Sequence, residues 1–184
     1  MSVLIVDGYV IVSANGMLAD SRHVMPDALK FPEDQAFFET ALDRADLIVH
    51  GLNSHEQQSR SDRRTRLLLT RRIEALAPCD YFPNATLWNP GGASFEDACQ
   101  RAGVTSGRAA IIGGPVVYAL FLDRYDTFWL SQAHGVTIKD GLGVFPQVPE
   151  FTPQQILARH GLSLRETRIL NAAQNVDVTA WRRE

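Results

Sequence analysis

Short apolar runs alternate with amphipathic stretches along the whole chain. Residues 3–14 (VLIVDGYVIVSA) are apolar and β-branched and predict a strand region, interrupted at Asp7-Gly8 by either a hairpin turn or a bulge. Further short runs at 46–50 (DLIVH), 66–70 (RLLLT), 85–89 (ATLWN), 109–112 (AAII) and 126–131 (DTFWLS) are bounded by turn residues. Nearly continuous apolar character over four or five residues predicts strands buried on both faces. Between them the period changes to that of a helix. Pro32 opens PEDQAFFETALDRA, in which Phe37, Phe38, Ala41 and Leu42 share a face and acids crowd the first turn. Ser94 is the expected N-cap of SFEDACQRA, with Gly103 as its stop. A third helix is predicted over 115–124, beginning at Pro115. Beyond 163, LRETRIL and VDVTAW flank Asn171–Asn175 and predict an antiparallel strand pair. This alternation predicts an α/β fold with a mainly parallel sheet.

Composition narrows the class. The 184 residues are 45% hydrophobic and 21% charged, which suits one globular domain spanning 1–184 with a real core. A net charge of -3 and a pI near 5.9 argue against binding to nucleic acid or a membrane surface through basic excess. Cys79 and Cys99 stand at no metal-ligand spacing, so neither a disulfide scaffold nor a zinc module is expected. No run approaches the length of a membrane span, and no basic-then-apolar leader opens the chain, so a cytoplasmic protein is expected.

Three features carry candidate chemistry. In AAIIGGPVVYALFL (109–122) a buried strand ends in Gly113-Gly114 and passes directly into a helix. Two glycines there let the backbone approach a ligand closely, although a plain strand-to-helix turn also explains them. RSDRRTRLLLTRR (60–72) places Arg60, Arg63, Arg64, Arg66, Arg71 and Arg72 around a strand. They read as anion recognition at both strand ends or, equally, as a solvated surface. Asp34 opens the helix beside Phe37 and Phe38, where it either favours the helix dipole or is a buried acid with a raised pKa. The five histidines (His23, His50, His55, His134, His160) form no ligand or nucleophile pattern, and Ser13, Ser54 and Ser131 stand in no nucleophile elbow.

Taken in order, these segments resemble dihydrofolate reductase and its relative, the reductase domain of riboflavin-pathway pyrimidine reductases. The likeness runs from about Val10 to Pro146, anchored by IIGGPVVYALFLDRYDTFWLS and supported by VIVSANGMLA, FPEDQAFF, VHGLNSHE, RRTRLLLTRR and the closing Phe145-Pro146. It implies a mixed, mostly parallel central sheet with flanking helices and a C-terminal antiparallel strand pair. It also implies that Asp34 is the catalytic acid, holding a pterin ring and assisting its protonation. Phe38 would pack on the substrate, Ser131 would bond near the acid, and Arg64 would grip the carboxylate of the folate tail. Ile112 would complete the substrate wall. Gly51, Asn53 and Ser54 match the turn under the cofactor pyrophosphate, while Thr70, Arg71 and Arg72 fall where the adenosine 2′-phosphate is met. Ile11, Leu18, Gly113, Gly114 and Tyr118 would line the nicotinamide cleft, and the Gly113–Gly114 peptide would be cis.

The chain also departs from the family pattern. Leu29-Lys30-Phe31-Pro32 lacks the tryptophan that many dihydrofolate reductases place before this proline, and the preceding loop is longer, carrying His23 and Met25. Leu52 and Val116 stand where some members place phosphate-binding arginines, which Arg71 and Arg72 could replace. ANGMLAD is also similar to the DG-x-I-A signature of the pyrimidine reductases. The resemblance therefore implies an NADPH-dependent reductase, with NADH left open, acting on a C=N bond of a small heterocycle as a monomer or homodimer. The alternatives are a ribosylamino-uracil phosphate reductase and a nucleotide-binding relative without turnover.

Overall fold

The computed structural model describes residues 3–54, 61–80 and 82–184. In chain order the strands are β1 (Leu4–Ser13), β2 (Met17–Ala19), β3 (Leu47–Gly51), β4 (Arg66–Leu69), β5 (Leu76–Pro78), β6 (Ala85–Trp88), β7 (Gly107–Gly113), β8 (Thr127–Ala133), β9 (Leu142–Gly143), β10 (Leu162–Asn171) and β11 (Val176–Arg183). The helices are α1 (Pro32–Asp43), α2 (Phe95–Ala102), α3 (Pro115–Leu120) and α4 (Pro153–Arg159). Among the described residues the main sheet has nine strands in the order β10-β11-β8-β1-β7-β3-β4-β6-β5. From β8 to β6 every neighbouring pair is parallel, and β10, β11 and β5 complete the edges by antiparallel pairing. The expected mixed sheet and C-terminal strand pair are both present. No helix among the described residues is long and apolar enough to cross a membrane.

Alternation explains why the central strands read as continuous apolar runs. Val6, Val12, Leu47, Val49, Ala109, Ile111, Phe128 and Leu130 join Phe95 of α2, Val117 of α3, Leu157 of α4 and Phe121 of the turn after α3 in the larger core. Their neighbours Tyr9, Ile48 and Ala110 meet Leu42, Phe37 and Phe38 of α1 in a second one. Successive side chains point to opposite faces, so both faces must be apolar where helices cover both.

Two expectations need correction. Asp7-Gly8 is neither a hairpin turn nor a bulge; β1 runs through it, in register with β7 and β8. Asp7 is buried and one of its carboxylate oxygens is met by Arg108 from β7, while burial, only partly offset by Arg108, pushes its pKa up. Gly8 is there because a Cβ would lie 2.4 Å from the Phe128 ring and 2.9 Å from that of Tyr125. The third helix is shorter than 115–124: α3 ends at Leu120, and the chain turns through Phe121–Arg124, where Arg124 N–H donates to the Phe121 carbonyl at 2.8 Å. For α2 the caps are as expected, with Ser94 accepting from the Asp97 N–H and Gly103 left-handed at φ 79°.

Candidate active site

Parallel strands bring their carboxyl ends to one edge of the sheet, and the strand order reverses there. The chain runs outward from β1 through β3, β4 and β6, then returns to place β7 between β1 and β3. Such a reversal opens a crevice beyond the strand ends. His50 of β3 sits opposite Gly113 of β7, so the turn after Gly51 stands beside Gly113-Gly114. The Gly113–Gly114 peptide is cis. Gly113 has φ 116°, and a Cβ there would meet the Tyr118 ring at 3.0 Å. A Cβ on Gly114 would lie 3.5 Å from Ser54 Oγ. The Tyr118 hydroxyl donates to the Tyr9 carbonyl at 2.6 Å, tying α3 to β1 across β7.

The crevice is a cleft of about 260 Å³. Its lining brings together ten of the expected residues: Ile11, Leu18, Asp34, Phe38, Ser54, Ile112, Gly113, Gly114, Tyr118 and Ser131. Asp34 reaches it because Pro32 at the first position of α1 sets the helix against the sheet, with Phe37 and Phe38 one turn further on the same face. Phe37 packs edge-on to Trp129 with ring centroids 5.5 Å apart. The Asp34 carboxyl is 8% exposed. Burial pushes its pKa up to about 6, and hydrogen bonding to the Ser131 hydroxyl pulls it part of the way back. Burial also raises the Tyr118 hydroxyl, helped by the field of Asp34. Tyr118 is therefore a neutral donor across the working pH range.

Six expected residues lie outside the lining. Gly51 and Asn53 belong to the turn that carries Ser54, whose N–H donates to the Gly51 carbonyl at 3.1 Å. Thr70, Arg71 and Arg72 follow the carboxyl end of β4; Thr70 is buried and accepts from the Arg72 N–H, while both arginines are exposed. Arg64 is buried and its guanidinium is paired with Asp43 at the end of α1, 2.9 Å away. Arg66 turns inward, 2.9 Å from the buried His50 Nε2. The arginines thus separate into two groups at opposite ends of β4. His55 and Arg60 lie outside the described residues.

The lining also includes Tyr9, Val10, Met25, Gln35, Phe37 and Trp129, which were not among the expected site residues. Period-two counting finds two of them: Trp129 stands two before Ser131, and Tyr9 two before Ile11, on the strands that carry those residues. Gln35 follows Asp34 directly, and Met25 arrives from the loop before α1.

Sheet order, the glycine turn and the buried acid define an α/β protein with a dihydrofolate reductase-like fold. Solved structures of known proteins share it over nearly the whole chain. A protein assigned to riboflavin biosynthesis from Shewanella sp. PV-4 superposes with a TM-score of 0.66 at 16% identity, covering 98% of this chain and 99% of that one. Dihydrofolate reductase from Enterococcus faecalis, complexed with NADP(H) and RAB-propyl, gives 0.64 at 16% identity, covering 98% and 96%. A diaminohydroxyphosphoribosylaminopyrimidine deaminase/5-amino-6-(5-phosphoribosylamino)uracil reductase from Thermotoga maritima gives 0.64 at 12% identity; 98% of this chain matches 56% of that one. No protein-family model matches the sequence, and no curated protein does.

Proposed function

We propose that the protein is an NADPH-dependent reductase that delivers hydride to a C=N bond of a pterin-like heterocycle. The observation that carries this reading is Asp34: a buried carboxyl whose pKa is raised to about 6, on the same cleft as the Gly113-Gly114 turn. The residues present fit a nicotinamide cofactor. Gly113 lets the Tyr118 ring pack against the turn, Gly114 lies beside Ser54, and Ile11, Leu18 and Tyr118 would flank the ring. When bound, that cofactor supplies the hydride. Arg71 and Arg72 would meet its 2′-phosphate with charge-assisted hydrogen bonds.

The chain's own task is to position, to exclude water and to manage one proton. Phe38 and Ile112 would pack on the heterocycle. Asp34, oriented by Ser131, would hold the edge of the ring and supply the proton that makes its imine carbon electrophilic. A carboxyl with a pKa near 6 is still partly protonated at neutral pH, whereas an ordinary aspartate is almost wholly ionised. Two of the structural relatives are named for riboflavin synthesis or a pyrimidine reductase, which supports a second reading in which the heterocycle is a ribosylamino-uracil phosphate. NADPH oxidation measured side by side with a dihydropterin and with that pyrimidine tests the assignment. Oxidation with the dihydropterin supports it; oxidation with the pyrimidine alone favours the second reading, and oxidation with neither overturns both.

A further inference from the structure

His50 meets both sides of the crevice. Its backbone, in β3, is paired with Gly113 in β7, and the register between the two strands slips at that step. Its imidazole is buried and reaches the turn that follows, with Nδ1 2.9 Å from the Gly51 carbonyl oxygen. That same oxygen accepts from the Ser54 N–H at 3.1 Å, which closes the turn beside Gly114. On the other side of the ring, Nε2 lies 2.9 Å from the guanidinium of Arg66, itself buried, on the neighbouring strand β4.

These two contacts fix where the imidazole proton sits. A guanidinium can only donate, so Nε2 must accept. A carbonyl oxygen can only accept, so Nδ1 must donate. One form of the ring meets both conditions, the neutral imidazole with its proton on Nδ1. Arg66 is anchored in turn. Its second terminal nitrogen donates to the Ser61 carbonyl at 2.8 Å, and the guanidinium lies 5.9 Å from the centre of the Phe82 ring. Burying an imidazole and a guanidinium is costly unless their hydrogen bonds are made. Here the bonds run in one direction, from Arg66 through His50 to Gly51, and end on the turn.

We infer, resting on the reductase reading above, that His50 and Arg66 are positioning residues for the cofactor. Arg66 fixes the tautomer of His50, and the His50 Nδ1–H holds the Gly51 carbonyl, so that the Gly51–Ser54 turn is set before the cofactor arrives. The test needs no turnover. Imidazole nitrogen-15 spectra of the cofactor-free protein, with the His50 signals assigned by their loss in His50→Asn, should show a protonated Nδ1 and a bare Nε2 at neutral pH. Calorimetric titration with NADPH reads the consequence. His50→Leu should weaken binding about tenfold, whereas His50→Asn, whose amide can still donate to the Gly51 carbonyl, should stay within about threefold of the wild type. Both should bind a dihydropterin as the wild type does, a split that general loss of structure would not produce. Arg66→Met should let a form protonated on Nε2 appear and weaken NADPH binding at least about threefold, and it decides the outcome if His50→Leu does not fold. A wild-type ring protonated on Nε2, equal NADPH affinities for His50→Leu and His50→Asn, or an undiminished affinity in Arg66→Met overturns the inference while the reductase reading stands. A wild type that binds no NADPH defeats that reading, and the inference with it.

Discussion

Asp34 shows how one residue is both a liability to the fold and the centre of the proposed chemistry. Its carboxyl titrates near 3.8 when exposed and near 6 in the folded chain. The folded state therefore binds the proton more tightly. Stability is unaffected below about pH 4, falls as pH rises toward 6 and stays lowered above that. Two pH units correspond to about 3 kcal/mol, part of which a favourable place in the first helical turn offsets. Asp34→Asn should thus raise stability by about 1–3 kcal/mol at pH 8 and hardly change it at pH 4, as read from urea melts. A loss of stability at pH 8 would make Asp34 an ordinary helix-dipole acid. The sequence offered both meanings of this residue, because an acid in a first turn is common; only its burial against Ser131 separates them.

At the scale of elements, strand β1 shows what was legible and what was not. Its apolar run marked a strand, but Asp7-Gly8 looked like a turn because the partner that answers Asp7 lies about a hundred residues away, on β7. Local propensity cannot register a parallel neighbour. Gly8→Ala should test the packing reading: Phe128 is fully buried among Tyr118, Tyr125 and Phe145, so the added methyl cannot be absorbed cheaply. A loss of about 3 kcal/mol is expected, seen as a lower urea midpoint with an unchanged slope, and Phe128→Leu in the same chain should recover part of it. If β1 needed glycine for a bend instead, the second substitution would recover nothing. The residues after β4 carry the cofactor prediction. Arg71→Ala with Arg72→Ala should weaken NADPH binding by about 10–100-fold and spare NADH, as measured by calorimetry. Equal losses for both cofactors would return the pair to a solvated surface. β2, β5 and β9 escaped the sequence pattern because each is too short to show a period, and α4 was not among the expected helices. Thr152 and Gln155 do form a capping box at α4, a signal that spacing alone contained.

Across the whole molecule, the edge strands close a sheet whose centre holds the cleft. Arg183, near the end of β11, donates to the carbonyls of Leu122, Tyr125 and His160, tying the last strand to the turn after α3 and to the end of α4. That anchoring keeps β11 on β8, the strand that carries Trp129 and Ser131. The order of the glycine turn, the acid-bearing helix and the central strands was legible because each has a local signature. The arginine pairings were not, since they depend on which strand end faces which helix.

The central claim is that the Asp34 carboxyl governs proton delivery during hydride transfer. Its most direct test is the single-turnover rate of NADPH oxidation with a dihydropterin from pH 5 to 9, for the wild type and Asp34→Asn. The wild-type rate should be level at low pH and fall about tenfold per pH unit once the carboxyl, with its pKa near 6, has ionised. The variant should be slower by roughly 10²–10⁴-fold at pH 8 and should lack that plateau, its rate tracking only substrate protonated in solution. An Asp34→Asn protein that oxidises NADPH at the wild-type rate at pH 8 would contradict the account.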